Sequence, residues 1–133
     1  MLRIVFGLFI VLHGLVHLLY FGQSQRLFEL QPGMEWPDGS WAFSAVLGNG
    51  TTRMLANILL LAAALGFVIG GIGIIATQAW ALPVVAVTAV LSAVTYLLLW
   101  NGRFQQLDNN GGVGLLIDLA ILALVLLVQW PNF

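Results

Sequence analysis

The chain contains no cysteine. That excludes disulfides, thiolate metal sites, iron–sulfur clusters and thiol redox chemistry. Charge is nearly as scarce, at 7% of the 133 residues against about 25% in an ordinary soluble domain. The net charge of −1 supplies no basic patch, so nucleic acid is not an expected partner. The sequence also lacks a phosphate-binding glycine loop, a nucleophile–base pair and a zinc-protease motif. Internal repeats and low-complexity segments are absent.

Apolar side chains take the place of all these. They make up 61% of the chain, and the mean hydropathy is +1.03. Such a composition cannot clothe a soluble domain in polar groups, so part of the solvent must be lipid. Apolar runs fall at residues 4–21, 54–76, 80–100 and 113–130, about 18, 23, 21 and 18 residues long. At ~1.5 Å per residue each run reaches roughly 27 to 34 Å, enough to cross a hydrocarbon core of about 30 Å. The expected fold is an all-α, integral membrane four-helix up-down bundle, with residues 1–133 forming a single transmembrane domain.

Arg3 followed by an apolar run has the outline of a secretory signal. The stretch YFGQSQ nevertheless offers no convincing cleavage site, and two histidines interrupt the apolar region. The first span is therefore expected to be retained. Residues 22–51 read as a polar loop, with turn signals at Pro32-Gly33 and Pro37-Asp38-Gly39. WPDGSW within it reads as an interfacial turn, with a lid over a pocket mouth as the other possibility. Between spans two and three only Thr77-Gln78 breaks the apolar run, which calls for a tight antiparallel hairpin. Pro83 falls in the first turn of span three, where its missing N–H does no harm. The five tryptophans fall mostly at predicted interfaces, as aromatic belts do. Ala62, Gly66 and Gly70 mark one close-packing face of span two, and Asn57, Ala64 and Gly71 another. Thr88, Ser92 and Thr95 form a weakly polar stripe on span three.

The charges are lopsided. Arg26, Glu29, Glu35, Asp38, Arg53, Arg103 and Asp108 belong to one side of the predicted bundle, with Arg3 almost alone on the other. Counted inward from the charged side, His17, Asn57, Thr95, Tyr96 and Asp118 all lie about 6 to 9 Å deep. His13 lies one turn deeper, on the same helical face as His17. A carboxyl at such a depth costs roughly 2.5 to 3.5 kcal/mol, so Asp118 should face inward and find a partner. The expected arrangement pairs Asp118 with one histidine, while Asn57 or Tyr96 completes the hydrogen bonds. Gly111 and Gly114 share the Asp118 face and allow close helix approach.

Such a layer has three uses: a structural hydrogen-bond network, a proton-handling or ligand pocket, or a metal site. For the last, His13 and His17 at i and i+4 with Asp118 make a two-histidine, one-carboxylate donor set. Haem held by both histidines is a poorer fit, because its axial ligands must approach from opposite faces of the ring; a single histidine could ligate a haem or chlorin, but nothing in the sequence demands it.

HGLVH, residues 13–17, and the W-x-x-x-F run Trp100-Asn101-Gly102-Arg103-Phe104 resemble motifs of small four-span DoxX-like bacterial membrane proteins. The resemblance implies a multi-pass cell-membrane protein. Some DoxX-like proteins are linked to quinone-coupled membrane oxidoreductases, which implies an accessory or quinone-binding role. Two functional readings stay open at this point. One is a pocket at His13, His17, Asn57, Tyr96 and Asp118 that binds a quinone- or lipid-like ligand, in a homo-oligomer or as a subunit of a membrane complex. The other is a membrane-embedded enzyme or metal-binding protein that uses His13, His17 and Asp118.

Overall fold

The computed structural model describes residues 1–29, 36–100 and 112–128. Among them the chain is all-α, with four helices and no strand: α1 (Leu2–Ser24), α2 (Ser44–Ile75), α3 (Ala81–Leu99) and α4 (Val113–Leu122). A π-helical stretch, Ala123–Val128, continues α4 as a wider coil. The first three helices are long and apolar enough to cross a membrane. The fourth apolar segment, Val113–Leu127, is shorter. The expected end of span four at residue 130, the centre of the first loop, and Glu35, Arg103, Asp108, Gly111 and residues 101–104 of the W-x-x-x-F run lie outside the described residues.

Successive helices pack antiparallel, and glycine sets how closely. Gly7 of α1 lies against Gly71 and Ile75 of α2, and Gly14 against Ala64 and Phe67. Another face of α2 presents Gly66 to Thr88, Gly70 to Val85 and Gly73 to Ala81 of α3. Gly114 of α4 meets the Tyr96 ring of α3. In hydrocarbon, helices associate by close packing rather than by escape from water, so backbone approach at small residues does much of the joining. Buried Phe6, Ile10, Phe67, Ile74, Val85 and Ile121 fill the space between them.

Two helix ends share one device. Leu27 N–H bonds the Gly22 carbonyl and Arg26 N–H the Gln23 carbonyl, with Arg26 left-handed at φ 62°. Gln78 N–H bonds the Gly73 carbonyl and Thr77 N–H the Ile74 carbonyl, with Thr77 at φ 56°. Both are Schellman ends, which occupy carbonyls that would otherwise face the membrane boundary unpaired. The second one makes the tight α2–α3 hairpin.

One boundary differs clearly from the sequence expectation. Residues 22–51 are not loop throughout, because α2 starts at Ser44. Its stretch 49–75 alone spans about 40 Å at ~1.5 Å per residue, beyond a hydrocarbon core of about 30 Å, so its polar first turns reach past the apolar layer. The helix is broken at Gly48, where φ 80° and ψ 159° are open only to glycine.

Residues 36–41 fold back as a cap over the end of α3. The Ser40 hydroxyl donates to the Leu98 carbonyl (2.6 Å), the Trp41 indole to that of Leu97 (2.7 Å), and the Trp41 amide to that of Trp100 (2.9 Å). The last turn of α3 thus receives the donors it cannot supply itself. Trp36 departs from the expected interfacial exposure. It is buried, with its ring 5.2 Å from Tyr20 and 6.2 Å from Tyr96.

Candidate functional site

Helices α1 and α4 face each other across a seam, and this is where the polar side chains meet. The seven-residue spacing of Phe6 and His13, and the four-residue step to His17, put all three on the inward stripe of α1, and all three are buried. His13 Nε2 lies 2.7 Å from Asp118 Oδ1, and both residues are buried. The contact joins an imidazole nitrogen to a carboxyl oxygen across the seam.

His17 is oriented by its own helix. Its Nδ1–H donates to the His13 carbonyl at 2.8 Å. A carbonyl can only accept, so in the neutral ring the proton sits on Nδ1 and Nε2 carries a lone pair. Ser92 of α3 fills that lone pair by donating from its hydroxyl at 2.6 Å. Ser92 also adjoins the Asp118 carboxyl, so the hydroxyl stands between two acceptors. Asp118 Oδ2 is buried and has no hydrogen-bond partner among the described residues. An unmet carboxylate oxygen in an apolar interior is a costly arrangement, of order 1–3 kcal/mol or more.

Aromatic rings enclose the cluster. Phe67 of α2 packs edge-on to His13 at 4.8 Å and lies 5.3 Å from His17. Tyr96 lies 5.4 Å from His17 and continues through Tyr20 to Trp36 beneath the cap. On the opposite side Phe9 lies parallel to His13, with ring centres 6.2 Å apart.

Beyond Phe9 the seam opens into an apolar groove of about 400 Å³. From α1 it takes Leu2, Val5, Phe6 and Phe9, and from α4 and its π-helical continuation Ile117, Ala120, Ile121 and Leu124. Among the described residues its lining carries no polar side chain, and Leu2 and Val5 within it are exposed. Phe9 links the groove to the polar pair, since it lines the groove and its ring stacks on that of His13. The volume lies within the 300–1,000 Å³ usual for small-molecule sites.

Of the residues singled out from the sequence, His13, His17 and Asp118 come together, with one ligand atom from each within 4.8 Å of the others. Tyr96 joins through ring contact rather than a hydrogen bond to the pair. Asn57 stands outside the network: it is half-buried, and its Oδ1 has no partner. The expected pairing of Asp118 with one histidine falls on His13, the deeper of the two. Ser92 enters as a participant where sequence suggested only a packing stripe. Its stripe-mates Thr88 and Thr95 bond their own i−4 carbonyls, at 2.7 Å each.

At the charged end Asp38 ties the cap to two helices. Arg53 donates to it through Nε at 2.6 Å and through Nη2, and Arg26 Nη2 lies 3.1 Å away. Burial works against the Asp38 charge, but these two guanidiniums outweigh it and hold the carboxyl below its ordinary range. Arg26 also donates to the Trp36 carbonyl at 2.7 Å.

Comparison with known proteins finds no matching family model, no matching curated protein and no matching solved structure.

Proposed function

We propose that this chain is a multi-pass integral protein of the cell membrane that binds an amphipathic lipid- or quinone-like molecule. The apolar tail lies in the α1–α4 groove, and the polar head reaches the His13–Asp118 pair. The observation that supports this reading is the position of Phe9, which lines an all-apolar groove and stacks on buried His13, whose partner Asp118 keeps an acceptor unmet among the described residues. A head group with a donor can satisfy Asp118 Oδ2, and one with an acceptor can take a hydrogen bond from His13. Phe9 stands between groove and pair and acts as the gate a head group must turn aside. The DoxX-like resemblance, with its link to quinone-coupled oxidoreductases, points to the same ligand class.

Ala120 offers a clean test, because it lines the groove, is exposed, and touches none of the polar groups. An organic extract of the purified wild-type protein should contain a near-stoichiometric amphipathic lipid or quinone. Ala120→Trp fills the groove and should lose it while keeping its helical circular dichroism. Equal amounts in the two extracts overturn the proposal.

A further inference from the structure

We infer that His13, His17 and Asp118 form a site for a divalent first-row transition metal, held between α1 and α4 inside the membrane layer. The inference stands on the polar cluster alone and does not depend on what fills the groove.

Four observations converge on it. The donor set is two imidazoles and one carboxylate, which suits zinc, iron(II) and their neighbours and is too nitrogen-rich for calcium or magnesium. The three donor atoms are already gathered within 4.8 Å of one another, and all three residues are buried. His13 Nε2 and Asp118 Oδ1, at 2.7 Å, are close to the roughly 3 Å that separates neighbouring ligands around an ion with bonds of 2.0–2.1 Å. Only His17 Nε2 has to move inward.

His17 is also prepared in the way a metal-bound histidine is. Its Nδ1–H is committed to a backbone carbonyl, which fixes the tautomer and aims the Nε2 lone pair away from α1. Ser92 supplies the counterpart. When Nε2 turns to an ion, the Ser92 hydroxyl loses one acceptor and has the Asp118 carboxyl beside it as another. That carboxyl holds the buried oxygen with no present partner, Oδ2. Oδ1 then binds the ion, Oδ2 accepts from Ser92, and every polar group in the cluster is satisfied. Three protein donors leave the remaining coordination positions open, as in the two-histidine, one-carboxylate sites of non-haem iron proteins.

The test uses the full chain, purified in detergent, treated with a chelator and titrated with Co²⁺. The expected result is one Co²⁺ per chain, visible d–d bands, and loss of those bands on adding Zn²⁺. His17→Ala and Asp118→Asn should each weaken Co²⁺ binding by roughly tenfold or more. Ser92→Ala removes one hydrogen bond in each state, to His17 Nε2 without the ion and to Asp118 Oδ2 with it, so it should weaken binding less than either ligand variant. Folded wild-type protein that shows no d–d bands overturns the inference, and so does Co²⁺ binding unchanged in His17→Ala. Should a ligand variant fail to fold, wild type and Ser92→Ala still decide, because the loss of binding in Ser92→Ala alone would mark the serine, not His17, as the ligand.

Discussion

At the scale of single residues, His13 and Asp118 are the pair on which the seam depends. Each is costly in an apolar interior and acceptable only because the other is there. Such pairs behave asymmetrically, since removing one partner leaves an uncompensated group whereas removing both leaves an ordinary apolar contact. His13→Leu should therefore destabilise the protein by about 3–5 kcal/mol in detergent, and His13→Leu/Asp118→Leu should recover most of that loss. Thermal or denaturant unfolding of the two variants measures it, and equal destabilisation would mean the pair contributes nothing across the seam. The same residue scale explains why Ser92 was hard to read. A hydroxyl in an apolar helix usually bonds the carbonyl one turn back, as Thr88 and Thr95 do here. Spacing alone does not distinguish a serine that does so from one that reaches another helix.

At the scale of elements, the helices with long uninterrupted apolar runs were the legible ones. Hydrocarbon leaves a crossing segment little freedom, so α1 and α3 lie within a few residues of their expected limits. The polar start of α2 was not legible, because Ser44–Thr52 lies past the apolar layer and composition there no longer reports conformation. The π-helical stretch after Leu122 was also hidden, since ALVLLV is compatible with an ordinary helix. Depth counting put His17, Asp118 and Asn57 in one layer but did not choose between the histidines or exclude Asn57, because it assumes helices that start in one plane and run straight. The glycines were the most informative residues for packing. Gly71 touches the Gly7 carbonyl and Val11 across the α1–α2 contact, while Gly50 has open space around it. Gly71→Val should separate α1 from α2 and lower the unfolding temperature sharply. Gly50→Ala should leave it unchanged or raise it slightly, because alanine is favoured over glycine in a helix by about 0.5–1 kcal/mol. A comparable loss in both variants would remove the close-packing account.

At the scale of the whole molecule, the chain has a charged end and an oily end, and the candidate site lies between them. Arg26, Arg53 and Asp38 fasten the cap of residues 36–41 to α1 and α2, and beneath it Trp36, Tyr20 and Tyr96 fill the space above His17. On the other side of the pair, described residues of α1 and α4 line the apolar groove. In the proposed reading a ligand's tail meets these apolar residues and its head the polar pair, with the aromatic rings on the far side. This arrangement requires that the seam be closed at the depth of His13 by its bond to Asp118. Solid-state NMR on protein in bilayers, with ¹⁵N-histidine and ¹³C-aspartate labels and an Asp118→Asn control, tests that requirement directly. A 2.7 Å Nε2–Oδ1 contact predicts dipolar coupling between His13 Nε2 and Asp118 Cγ across about 4 Å or less, absent from the control. A spectrum with no such coupling in the wild-type protein would contradict it.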